Sequence, residues 1–145
     1  MAAPTSAPPV PNLTLLHGAL LMGLVVVAGV AAFLLFGRTG PLLAADSGTA
    51  TIGFVMAAVS LGVTAMAVAF LRPRLPPRPS GQSAGDYWAI PGHARSALLL
   101  WVALEQGGFI GLVGWLLTGS LAAALAGLVA VAALVMFPPA RLAGP

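Results

Sequence analysis

Glu105 is the only glutamate in the chain, and it lies with Gln106 near the middle of a long apolar run, residues 94–118. If that run crosses a bilayer, a carboxyl stands at membrane depth, where ionisable groups are costly and by default mark a functional site. Glu105 is about eleven residues into its run, roughly 16 Å at helical rise, which is close to the bilayer centre. Apolar surroundings disfavour the charged form, so the carboxyl is expected to be protonated at neutral pH and to donate a hydrogen bond. Ser60, in the preceding apolar run, should lie at the same depth, and its hydroxyl is the expected partner. Two chemistries follow. Glu105 either exchanges a proton or ion, or holds helices together through side-chain bonds, with Gln106 doing the same on an adjacent face.

His17 is the next candidate. It falls four or five residues into the first apolar run, where an imidazole nitrogen can ligate a haem or chlorophyll metal or simply hydrogen-bond at the interface. His93 opens the third run and is expected to be solvated. The remaining acids, Asp46 and Asp86, lie in connecting segments. With no Cys, thiol chemistry and disulfides are excluded. No cluster of His and carboxylates has metal-ligand spacing. No catalytic triad, phosphate loop or dinucleotide fingerprint is present, and there is no basic-aromatic pattern for nucleic acid. No catalytic residue is therefore assigned, and the chain is expected not to be an enzyme.

The elements that position these residues follow from composition. The chain is 59% hydrophobic and only 6% charged, against about 25% charged in a soluble domain. The expected class is an all-α polytopic membrane protein forming a single membrane domain. Four spans are expected, at about 13–36, 49–71, 94–118 and 121–137, arranged as two antiparallel hairpins. The fourth, of about 17 residues, is near the lower limit for a crossing. Asn12 is the expected N-cap of the first span. Gly37 to Pro41 stops it, and Thr118-Gly119-Ser120 makes a tight turn between the last two. The stretch 72–92 is rich in Pro and Gly and is expected to be an irregular loop. Tyr87 and Trp88 within it, and Trp115 at the far end of the third span, fit the membrane interface. Ser60 and Thr64 have the option of bonding back to carbonyls of their own helix.

Four spans place both termini on one side, together with Arg72, Arg74, Arg78, Arg95 and Arg141, while Arg38 is alone on the other. The excess of Arg predicts that the termini and the central loop are cytoplasmic. In the membrane, small residues spaced by four mark close helix contacts. Ala103, Gly107 and Gly111 form such a ladder in the third span, and Gly119, Ala123 and Gly127 in the fourth, so the two ladders are expected to meet. Ala58/Gly62 and Ala65/Ala69 are the corresponding pairs in the second span, and Ala19/Gly23 in the first.

The run from Arg95 to Gly119, RSALLLWVALEQGGFIGLVGWLLTG, resembles the carboxylate-bearing helix of rotary ATP synthase c subunits, where an Ala-Leu-x-Glu sequence sits among small and aliphatic residues. That resemblance implies that Glu105 carries the translocated ion. It covers about 25 residues. The sequence departs from the family in placing the acid on the third of four spans and in its long Pro-rich link. The whole layout is also similar to small four-span bacterial membrane proteins, through LLHGALLMG at the start, the ALxE run ending in LLTG, and the closing Pro139-Ala140-Arg141. This second resemblance implies no particular activity. Together these readings predict a non-catalytic accessory or structural subunit of a larger energy-transducing complex, respiratory or photosynthetic, in the bacterial inner membrane. Its expected partners are membrane lipids and other integral membrane subunits, with no nucleic acid. The alternatives are a proton- or ion-conducting subunit using Glu105, and a haem or chlorophyll binder through His17. No other cofactor is expected.

Overall fold

The computed structural model describes residues 12–37 and 40–144. Six α-helices are present among them and no strand: α1 (Leu13–Gly37), α2 (Ser47–Met66), α3 (Ala84–Ala89), α4 (Pro91–Thr118), α5 (Leu121–Met136) and α6 (Pro139–Ala143). The local sequence explains the ends. Asn12 Oδ1 accepts from the Leu15 N–H at 3.2 Å and opens α1. Asp46 Oδ1 accepts from the Thr49 N–H at 2.7 Å and opens α2. Gly119 adopts a left-handed φ of 69° and closes α4, and Ser120 caps α5 one residue later.

The end of α2 differs from a clean stop. A π-helical turn, Ala67–Leu71, and a 3-10 turn, Arg72–Arg74, carry the helix on. Arg72 keeps α geometry, but its N–H reaches five residues back to the Ala67 carbonyl, and Pro73 has no N–H with which to continue the ladder. With these turns, three helical stretches are long and apolar enough to cross a membrane: Leu13–Gly37, Ser47–Arg74 and Pro91–Thr118. The protein is a helical membrane protein. The shorter apolar α5 has 16 residues. The 72–92 stretch is not irregular throughout. Ser83 caps α3, its Oγ accepting from the Asp86 N–H at 3.1 Å while its O–H donates to Asp86 Oδ2 at 2.7 Å. Pro91 then starts α4 three residues earlier than the expected boundary, a position where its missing N–H has no cost.

The inner pair is α4 and α5, which pack along their length, and α2 lies against both. The first helix lies mainly on α4, and α1 and α2 do not form a comparable pair although they are neighbours in sequence. Contacts fix the directions. His17 meets Trp101 and Phe36 meets Trp115, so α1 runs with α4. Met56 faces Gly114 and Thr64 faces Gly107, so α2 runs against it.

The contact faces follow small residues in part. Gly111 and Gly127 lie backbone to backbone, and a methyl group on Gly111 would fall on Gly127 and on the Ala123 carbonyl. Ala123 is buried at this seam. Gly107 instead faces α2, Ala103 lines the groove between α2 and α4, and Gly119 touches Pro41. The second helix turns a different side inward than expected. Its buried residues are Thr49, Gly53, Ala57, Ser60 and Thr64, while Ala58, Gly62, Ala65 and Ala69 are exposed. Both registers are small, but only the first carries hydroxyls, which gain by facing protein acceptors. Likewise α1 buries Leu13, His17, Leu24 and Ala31, and Ala19 and Gly23 remain exposed.

Candidate functional site

The polar residues of the bundle interior are tied to backbone. Ser60 Oγ donates to the Gly107 carbonyl at 2.7 Å, and Thr64 Oγ1 donates to the Ser60 carbonyl at 2.8 Å. A side chain on Gly107 would strike Thr64, so the glycine is what admits this link. Ser60 is thus an interhelical bond donor between α2 and α4, and Glu105 is not its partner.

Glu105 is on another side of α4. It is half-buried towards α1, with Oε1 3.6 Å from where a Cβ on Gly23 would stand. Gln106 is exposed, on an outer strip of α4 that it shares with Val102 and Phe109. Neither the carboxyl nor the carboxamide has a hydrogen-bond partner among the described residues. No second acid is near among the described residues: Asp46 caps α2 and Asp86 lies in the first turn of α3, at the two ends of the fold.

His17 is buried, and its Nε2 is 2.9 Å from the Leu134 carbonyl. A carbonyl only accepts, so Nε2 carries the proton and is engaged. The ring meets Trp101 edge-on at 5.1 Å, and Trp101 Nε1 donates to the Phe137 carbonyl at 2.8 Å. Leu134 is in the last turn of α5 and Phe137 is its C-cap, where helical N–H donors run out. His17 and Trp101 therefore clamp α1 and α4 onto the C-terminal end of α5. Trp101 acts here as a donor as well as packing volume, a role the sequence reading missed because its partner is main chain. His93 is half-buried and engaged with Tyr87. Its ring lies on Tyr87 at 4.3 Å, and Nδ1 is 3.1 Å from the Tyr87 carbonyl. Trp115 meets Phe36 at 5.9 Å. Among the described residues no three His, Cys, Asp or Glu side chains gather as a metal site.

No protein-family model, curated protein or solved structure matches this chain. The functional reading rests on the geometry alone. Its distinctive feature is a carboxyl half-buried towards α1 next to a carboxamide exposed on the outer strip of the same membrane-spanning helix, with every buried side-chain nitrogen or oxygen elsewhere satisfied among the described residues.

Proposed function

We propose that the protein is a non-catalytic accessory subunit of a larger bacterial membrane complex, docking through the α4 face that carries Glu105 and Gln106. The observation that carries this reading is that both side chains lack a hydrogen-bond partner among the described residues. A polar group left unsatisfied in hydrocarbon costs several kcal/mol, and a polar group on a neighbouring transmembrane helix removes that cost. The role is non-enzymatic in this reading. Four crossings of the inner membrane, counting α5, with both termini in the cytoplasm, complete it. The Arg-rich end formed by Arg72, Arg74, Arg78, Arg95 and Arg141 supports that orientation.

The test is extraction of the tagged protein from its native membrane in mild detergent, followed by sizing and composition. Recovery in a stoichiometric complex, lost in the Glu105→Leu/Gln106→Leu double variant while the variant stays folded, supports docking. Recovery of the wild type alone overturns it. Glu105→Gln keeps a donor and an acceptor and is expected to preserve assembly. Proton flux in liposomes that Glu105→Gln abolishes would instead favour ion carriage at Glu105.

A further inference from the structure

One end of the bundle is strongly basic and carries a formed cleft. It comprises the start of α1, the 3-10 turn after α2, α3, the start of α4, and α6. Among the described residues five Arg are there, with Asp86 as the only acidic side chain. Among the described residues none of the five makes an ion pair, and the guanidinium groups of Arg74, Arg78, Arg95 and Arg141 meet no acceptor. Arg72 alone is used internally, donating from Nη1 to the Leu75 carbonyl at 2.9 Å.

A cleft of about 400 Å³ opens at this end, lined by Thr14, Arg78, Trp88, Pro139, Ala140 and Ala143 among others. Its walls are fixed. The Arg78 N–H donates to the Ala143 carbonyl at 3.1 Å, and Tyr87 Oη donates to the Pro76 carbonyl at 2.8 Å. Leu75 and Leu142 are buried beneath it. Three donors among the lining residues are uncommitted: the Arg78 guanidinium, the Trp88 indole N–H and the Thr14 hydroxyl. One residue on from Thr14, Leu15 is exposed on the outer side of α1. The cleft thus pairs positive charge and hydrogen-bond donors with an adjoining apolar surface, at the ends of helices that span a membrane.

We propose that this cleft binds the phosphodiester headgroup of an anionic phospholipid. Arg78, Trp88 and Thr14 would donate to the phosphate oxygens, and an acyl chain would lie along α1 beside Leu15. Basic pockets beside transmembrane helices suit anionic headgroups, and each nearby Arg adds to the attraction. The apolar neighbours favour a lipid over free phosphate, which has no use for them. This inference stands independently of the docking reading for α4.

Native mass spectrometry of the detergent-solubilised full chain, titrated with phosphatidylglycerol, phosphatidylcholine or inorganic phosphate, tests it. Phosphatidylglycerol is expected to be retained at least about tenfold better than phosphatidylcholine, and millimolar phosphate is expected not to compete. Arg78→Gln is expected to lower phosphatidylglycerol retention about fivefold. Its backbone link to Ala143 survives, and unchanged circular dichroism verifies the fold. Arg74→Gln, at the same end but outside the cleft, is expected to change retention less than twofold. Equal effects of the two substitutions would reduce the site to diffuse charge and overturn the proposal. Equal retention of the two lipids, or full competition by inorganic phosphate, would overturn it as well.

Discussion

Gly111→Ala should separate two helices that now touch through their backbones. The added Cβ would stand 2.6 Å from Gly127 Cα and 2.9 Å from the Ala123 carbonyl oxygen. Comfortable contact between carbons is about 3.5–4.0 Å, so α4 and α5 must part by roughly 1 Å at this point. Backbone atoms have no rotamer by which to escape, and overpacking of this kind costs about 1–3 kcal/mol. Gly62→Ala is the matched control. Its Cβ would meet nothing within 4 Å, and alanine is preferred to glycine inside a helix by up to about 1 kcal/mol. Both substitutions gain that preference, so they should differ by the overpacking cost, about 1–3 kcal/mol, with Gly62→Ala the more stable. Reversible unfolding in mixed micelles, followed by the fluorescence of the three Trp, measures both. If Gly111→Ala is as stable as Gly62→Ala, or if Gly62→Ala is the more damaging of the two, the packing seam has been placed on the wrong faces.

Three further outcomes are expected. His17→Leu strips the Leu134 carbonyl of its side-chain donor but leaves it the Phe137 N–H, so it should cost about 0.5–1.5 kcal/mol, read as faster hydrogen exchange in α1 than in α4. The Thr49 backbone N–H holds the Asp46 carboxyl below its ordinary value of 3.8. Its capping contribution is therefore complete above that pH and lost as pH falls through the lower folded value, and Asp46→Asn should abolish that acid dependence in pH-titrated unfolding. Burial pushes the Tyr87 phenol above its ordinary 10.0, with Arg72 opposing. The phenol should stay neutral past pH 10, and stability should fall only above that pH. Absorbance of the one tyrosine in the chain reports the titration directly.

The helix ends were largely readable from the sequence, because caps are local. Asn12, Gly119 and Ser120 each act through backbone groups within four residues. Rotation about a helix axis is not local, and there the reading failed. Ser60 and Glu105 were placed at the same depth, and Ser60 does meet α4 at that level, but at Gly107. Two residues along a helix turn the direction by roughly 200°, so depth alone cannot select between them. In α2 two small-residue registers coexist, and the hydroxyls of Ser60 and Thr64 were the signal that separates them. The partners of His17 and Trp101 left no trace because they are carbonyls. For α3 a signal existed: Ser83-Ala84-Gly85-Asp86 fits the capping pattern that precedes a helix.

Because α1 leans on α4 and not on α2, the order of synthesis differs from the order of assembly. The first helix leaves the ribosome with no docking surface, and that surface is complete only roughly 80 residues later, about 4–16 s at ordinary elongation rates. For that interval α1 and α2 are separate guests of the bilayer, joined by a connection but not by packing. The arrival of α4 gathers both, one on each flank, so the third apolar segment works as the nucleus of the molecule. A chain truncated before Pro91 would therefore insert its first two helices and leave them unassociated.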